Sequence, residues 1–157
     1  SGYAAGIAAK GYTAKDKNGN TVAVPGTSGW YLPSSGQWYD ICDNLGGMVT
    51  SSGKVYTKSD TYYLQWYSED DGSGKNYSSL CASNLNVYLN ALKGKGYSVD
   101  LFDNDNHNIY WSSSEYNNLY VYCLGFDGYN NGDIYLYSGN SNFTKSNLRS
   151  VRAVIAF

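Results

Sequence analysis

The chain has 157 residues, which predicts one domain whose core is large enough to fold without metals or cross-links. Its formal net charge of -2 at pH 7 supplies no basic surface, so nucleic acids and anionic membranes are excluded as expected partners. Charged residues make up only 15% of the chain, below the globular norm of about 25%, and neutral polar residues and 18 tyrosines take their place. This composition favours an extracellular binding module over a cytosolic enzyme.

The first elements along the chain are predicted to be short strands separated by turns. Residues 4–13 and 21–24 are predicted as strands, with the turn-forming cluster 16–20 between them. Two further short apolar stretches, residues 30–32 and 61–67, are also consistent with extended backbone.

Two helices are predicted in the middle of the chain. Ser34 or Ser35 can cap a helix over residues 36–44, because the apolar side chains there follow the i, i+3, i+4, i+7 pattern. A second helix is predicted over residues 83–92, with Ser83 as its cap. Four of its apolar side chains are expected to face inward: Leu85, Val87, Tyr88 and Leu92.

The last third of the chain is predicted to be an antiparallel meander. Its strands are expected at residues 109–113, 120–126, 133–137 and 150–157, with Gly- and Asn-rich turns between them. Together with the two helices they predict a single α+β domain over residues 1–157, with a central antiparallel sheet and long loops.

The sequence offers little catalytic or metal-binding chemistry. The single histidine, His107, lies in a polar loop, which gives no Ser-His-Asp arrangement. Asp103 and Asp105 resemble the start of a calcium loop but lack its glycine and terminal glutamate. The acidic run 69–71 has the ligands for calcium, although a solvated turn is the favoured interpretation. We therefore predict no enzyme activity, no metal and no cofactor.

Three cysteines, Cys42, Cys81 and Cys123, permit at most one disulfide and leave at least one free thiol. No two of them have the spacing of metal ligands. The simplest interpretation is that they are small buried hydrophobic residues, and whether Cys42 pairs with Cys81 stays open.

Three motifs occur at separate places along the chain: residues 29–38 read GWYLPSSGQW, residues 110–115 read YWSSSE, and residues 151–154 read VRAV. In sequence and in order they resemble the motifs of a bacterial branch of the C-type lectin-like fold. Gln37 departs from the pattern, which usually has Glu at this position. The resemblance covers the chain from about residue 20 to its end and implies a C-type lectin-like fold. It also implies that Trp30, Trp38 and Trp111 fill the core, and that Arg152 pairs with buried carbonyls or an acid.

Within that branch the chain is most similar to the variable proteins of diversity-generating retroelements, whose C-terminal repeat is rewritten by mutating template adenines. An adenine-adenine-pyrimidine codon mutated in this way reaches Tyr, Ser, Asn, Asp and Gly, but never Trp, Glu, Gln, Lys or Met. Residues 116–144 contain none of these five, and Lys145 is the first to follow. The resemblance therefore implies a variable, ligand-binding region at about residues 116–147.

The composition of this region is that of a binding surface, since Tyr gives rigid contact area and Ser, Gly and Asn give adaptable hydrogen bonds. Strand alternation places Tyr122, Leu124 and Phe126 inside, and Cys123 and Gly125 outside. The predicted ligand-binding residues are Asn117, Asn118, Leu119, Tyr120, Cys123, Gly125, Asp127, Tyr129, Asn130, Asn131, Asp133, Tyr135, Tyr137, Asn140, Asn142 and Phe143.

The expected function is recognition of a protein or glycan on another cell or surface, by a bacterial or phage display domain without catalysis. We expect an extracellular, cell-surface or virion location without direct membrane insertion, and any signal, anchor or upstream domain to lie outside this sequence. The alternatives are a lectin-like adhesin of fixed specificity and a pilus or tail structural module. An enzyme related to the formylglycine-generating enzymes is disfavoured, because those rely on a cysteine pair and Cys123 has no evident partner.

Overall fold

The computed structural model describes residues 4–23, 26–27, 29–47, 66–67, 77–102, 108–126, 134–137 and 144–155. Within these ranges the chain forms three helices and six short strands. In chain order they are α1 (Ala4–Lys10), β1 (Trp30–Tyr31), α2 (Ser35–Asn44), β2 (Trp66–Tyr67), α3 (Tyr77–Gly94), β3 (Asn108–Glu115), β4 (Val121–Phe126), β5 (Ile134–Tyr137) and β6 (Val154–Ile155). The predicted α+β class is confirmed, but the described residues contain one helix more than the two predicted.

The larger sheet has four antiparallel strands in the order β2-β5-β4-β3. Leu124 in β4 lies opposite Tyr110 in β3 and Leu136 in β5, so β4 is paired along both of its edges. The consecutive pairing of β3, β4 and β5 confirms this part of the predicted meander.

The strand β4 is also covered on both faces, and all six of its residues are buried. On one face Tyr122, Leu124 and Phe126 pack against side chains of α2 and α3. This cluster, here called the aromatic core, consists of Trp38, Tyr39, Cys42, Cys81, Ala82, Leu85, Phe102, Tyr110, Tyr122, Leu124, Phe126 and Leu136. On the other face lies the second core, which consists of Ala5, Ala9, Leu32, Trp111, Val121 and Cys123.

The segment predicted as the first strand is instead the helix α1. Its sequence AAGIAAK is rich in alanine, which has the highest helix propensity of all residues. Ala5 and Ala9 lie one turn apart and are the buried residues of this helix. Because their side chains are so small, α1 can pack close to the second core.

The helix α2 begins where the sequence predicted. Ser34 is its N-cap: the Ser34 hydroxyl accepts from the Gln37 backbone N–H at 3.2 Å, and the Gln37 side-chain oxygen accepts from the Ser34 N–H at 2.9 Å. Gln37 thus completes a capping box although it stands where the family pattern has Glu. Trp38 is fully buried and donates its indole N–H to the Trp111 carbonyl at 3.1 Å.

The helix α3 begins at Tyr77, well before the predicted cap at Ser83. Leu85 is buried as predicted, but Val87, Tyr88 and Leu92 are 65%, 52% and 40% exposed, so their predicted inward orientation was wrong. The buried face is formed by Cys81, Ala82 and Leu85. Two of these residues are small, so the pattern of large apolar residues did not reveal this face.

The C-terminal segment does not complete the meander. Its strand β6 pairs with β1 in a separate two-stranded sheet, with Trp30 opposite Ile155 and Tyr31 opposite Val154. Ser150, at the predicted start of the strand, instead forms a parallel bridge with Tyr110. Near the N-terminus, the described part of the predicted strand at 21–24, residues 21–23, forms only a bridge at Thr21, while the predicted turn at 16–20 is present.

Two of the predicted scaffold residues lie nearer the surface than expected. Trp30 is only partly buried and contacts Tyr12 edge-on, with ring centroids 4.8 Å apart, so it does not fill either core. Arg152 does pair with a carbonyl, that of Asp100 at 2.8 Å, but Asp100 is exposed rather than buried. The Arg152 guanidinium also lies 4.4 Å from the centre of the Phe102 ring, at the margin of the aromatic core.

Candidate ligand-binding surface

The predicted ligand-binding residues fall into four groups. Residues 117–120 form the turn between β3 and β4, and Cys123 and Gly125 lie within β4. Tyr135 and Tyr137 belong to β5, but only their backbone is described. The others lie outside the described residues: Asp127, Tyr129, Asn130, Asn131, Asp133, Asn140, Asn142 and Phe143.

The outward orientation predicted for Cys123 and Gly125 was wrong. Cys123 is 0% exposed and packs in the second core, where burial raises the pKa of its thiol to about 12. Gly125 is buried between its ladder partners Ile109 and Tyr135. Alternation separates core from surface only in a strand with one covered face, and β4 has two. The uncharged run VYCLGF was the signal for this, since continuous apolar runs indicate strands buried on both sides.

The turn between β3 and β4 is held by its own hydrogen bonds. The Asn117 side-chain oxygen accepts from the backbone N–H groups of Leu119 at 2.8 Å and Tyr120 at 2.9 Å. The Tyr120 carbonyl accepts from the Tyr116 N–H at 3.0 Å. Asn117 therefore shapes the turn, as Asn commonly does, and its side-chain oxygen is occupied by the backbone.

A second turn, at residues 144–147, lies against the first. It is closed by a bond of 2.9 Å from the Asn147 N–H to the Thr144 carbonyl. Tyr120 and Thr144 form a bridge, and the Lys145 N–H donates to the Leu119 carbonyl at 2.9 Å. Residues 116–120 and 144–148 are called the paired turns below.

An ion pair joins the two residues that flank the run without Trp, Glu, Gln, Lys or Met. Glu115 immediately precedes this run, Lys145 immediately follows Thr144, and their charged groups are 2.8 Å apart. With the bridge between the turns, this contact brings the two ends of the 116–144 segment together at its base.

The paired turns expose several large apolar side chains. Tyr116 is 52% exposed, Leu119 is 65% exposed and Leu148 is 95% exposed. Tyr116 also contacts Tyr122 edge-on, with ring centroids 5.8 Å apart. Sequence reasoning predicted Leu119 but missed Tyr116 and Leu148, and a single leucine in a polar segment carries no periodic signal that would have shown its exposure.

The serines of the YWSSSE motif hold the base of the first turn on the scaffold. The fully buried Ser112 hydroxyl donates to the Tyr122 carbonyl at 2.7 Å. The Ser114 hydroxyl accepts from the Ser35 N–H at 3.0 Å, and the Ser113 N–H donates to the Pro33 carbonyl at 2.8 Å. The strand that leads into the turn is therefore tied to the start of α2.

A separate cleft of about 430 Å³ lies between the end of α3 and the β1–β6 sheet. Its lining includes Tyr12, Trp30, Leu92, Tyr97 and Ile155. None of the predicted ligand-binding residues whose side chains the structure describes lines it, and none of its described lining residues belongs to the paired turns.

The described part of the chain holds no group of three or more His, Cys, Asp or Glu side chains that could bind a metal. The residues considered for calcium or for catalysis, residues 69–71, Asp103, Asp105 and His107, lie outside it. No helix among the described residues is both long and apolar enough to span a membrane.

Comparison of the chain with family models, with curated proteins and with solved structures finds no match.

Proposed function

We propose that the chain is a C-type lectin-like domain of the kind found in diversity-generating retroelement variable proteins. In this proposal it binds a protein or glycan on another cell or surface, without catalysis and without a cofactor. It acts outside the cell or on a virion, attached through an upstream domain or a pilus or tail assembly. The three sequence motifs support this, and the ion pair between Glu115 and Lys145 is the structural observation that carries it.

The ion pair supports the proposal because its two residues lie at the two ends of the candidate variable segment. A segment whose residues are to vary needs fixed ends, so that the scaffold is unaffected by what lies between them. Glu115 and Lys145 meet at 2.8 Å on either side of the candidate segment, and each is a residue that a mutated template codon cannot produce.

The paired turns supply a contact surface of suitable chemistry. Tyr116 and Leu119 offer apolar area, while Asn118 offers amide groups for hydrogen bonding. Asn117 orders the backbone on which they stand. Because a surface ordered before binding loses less entropy, such a turn is a favourable place for recognition. Tyr129, Tyr135 and Tyr137 are proposed to carry much of the affinity.

A pilus or tail structural module is the second candidate, and one observation favours it. Leu148 is 95% exposed and Leu119 is 65% exposed, and exposed apolar side chains are also used in permanent contacts between subunits. The first candidate requires these residues to be accessible in the mature assembly, whereas the second requires them to be covered.

Sequencing of the gene and its neighbourhood in several isolates tests the proposal. Diversification predicts a near-identical template repeat nearby, and substitutions at exposed positions such as Asn118 and Leu119. The buried residues Val121 and Leu124, in the same run, are the internal control and should stay unchanged. A C-terminal region that is uniform among isolates and lacks a template would refute diversification, leaving a fixed adhesin or a structural module.

A solution measurement then separates binding from assembly. The purified chain should sediment as a monomer at concentrations up to about 100 µM, and Leu148→Ser should not change this oligomeric state. Concentration-dependent oligomers that are lost in Leu148→Ser would favour the structural module.

A further inference from the structure

Two cysteines meet at the contact between α2 and α3. Cys42 and Cys81 are 0% and 1% exposed, and both belong to the aromatic core. Their thiols are free in the structure and are near neighbours, because the Cys81 sulfur and the Cys42 backbone both border Gly46, and the Cys81 thiol contributes to the raised pKa of Cys42. Cys123 lies in the second core, on the opposite face of β4.

The chain around the two thiols is closely packed. A Cβ atom added at Gly46 would overlap the Cys81 sulfur and would lie 2.5 Å from the Cys42 carbonyl oxygen, so only glycine fits there. The Asn84 side chain, on α3, donates to the Gly46 carbonyl at 3.0 Å. These contacts hold the end of α2 against α3 and fix the positions of both cysteines.

We propose that Cys42 and Cys81 form a structural disulfide joining α2 to α3 when the chain folds in an oxidising environment, and that Cys123 stays a free thiol. The oxidant is a small disulfide such as oxidised glutathione. Two protein thiols lose two protons and two electrons as the S–S bond forms, and the glutathione disulfide gains them to become two thiols. The proposal does not depend on the function proposed above.

The disulfide forms during folding rather than afterwards. Burial, with the neighbouring Cys81 thiol, raises the pKa of Cys42 well above its ordinary value. The thiolate is the reactive form, and both sulfurs are inaccessible in the folded chain. Oxidant added to the folded, reduced protein should therefore act slowly, whereas oxidant present during refolding should act readily.

The experiment is to refold the reduced, denatured chain in a glutathione redox buffer, and to count free thiols and map disulfides by mass spectrometry under denaturing, non-reducing conditions. We expect one free thiol, at Cys123, and a Cys42–Cys81 cross-linked peptide. The disulfide closes a loop of about 40 residues, so it should raise the melting temperature by about 10 °C over the reduced chain.

Matched variants make the result specific. Cys123→Ala should keep the cross-link and its effect on melting temperature, while Cys81→Ala should lose both. Three free thiols, a glutathione adduct without a cross-link, or a disulfide that includes Cys123 would each overturn the proposal. The mapping of the unmodified chain decides this even if a cysteine variant fails to fold.

Discussion

The first of the paired turns and the strand β4 are consecutive in the chain, yet their environments are opposite. Residues 117–119 are exposed, whereas every residue of β4 is buried. Both belong to the same run without Trp, Glu, Gln, Lys or Met, and both contain leucine and tyrosine. Composition therefore does not separate the part of this run that can contact a ligand from the part that holds the sheet together.

The turn is exposed and β4 is buried because the two segments have different neighbours in the fold. The strand β4 lies between β3 and β5 and has a core on each face, so its side chains have no access to solvent. The turn precedes that strand and lies against the turn at residues 144–147, and its residues 117–119 stay exposed. For recognition, this excludes β4 from the accessible surface, whereas the paired turns stay exposed.

Two leucines of this run give the largest expected difference. Leu124 is 0% exposed, so Leu124→Ala should lower the free energy of unfolding by about 3 kcal/mol through lost burial and a cavity. Leu119 is 65% exposed, and Leu119→Ala should change the free energy of unfolding by less than about 0.5 kcal/mol. Chemical denaturation of both variants measures this contrast. Equal losses would show that the turn is part of the core.

Tyrosine substitutions test the same boundary with a residue that the proposed diversification would produce often. Cys123→Tyr places a large ring in the second core beside Ala9 and Trp111, and should cost about 3 kcal/mol of stability. Asn118→Tyr, on the exposed turn, should cost less than about 0.5 kcal/mol. Thermal unfolding of the two variants provides the comparison. If Cys123→Tyr is as stable as the unmodified chain, position 123 has room for a large side chain and belongs to the predicted ligand-binding surface.

The elements that the sequence predicted well are those with local, specific signals. Ser34 and Gln37 form the capping box of α2, and the large alternating residues Tyr122, Leu124 and Phe126 face the aromatic core as expected. The strands of the meander lie where apolar runs alternate with Asn- and Gly-rich turns.

The elements that were missed depend on small residues and on distant contacts. Ala5 and Ala9 form the buried face of α1, and Cys123 packs with them in the second core. Because these side chains are small, they contribute little to a pattern of hydrophobic residues and were not recognised as core. The long separation between Glu115 and Lys145 in sequence likewise gave no sign that they pair. In the candidate site, the exposed turn was therefore predicted. The burial of β4 was missed although its uncharged run indicated it, and the closure at its base left no signal in the sequence.

The smallest expected difference in stability is between substitutions at Asn117 and Asn118, two adjacent asparagines that are both exposed. Asn117 accepts hydrogen bonds from the N–H groups of Leu119 and Tyr120, so Asn117→Ala should cost about 1 kcal/mol as the turn loses both bonds. Asn118→Ala should be close to neutral in stability, because its side chain is exposed. Denaturation measures the difference in stability, and amide hydrogen exchange at Leu119 and Tyr120 measures the loss of order directly. Exchange should accelerate in Asn117→Ala alone. If Asn118→Ala accelerates it equally, the order of this turn comes from its contact with residues 144–147 rather than from the Asn117 side chain.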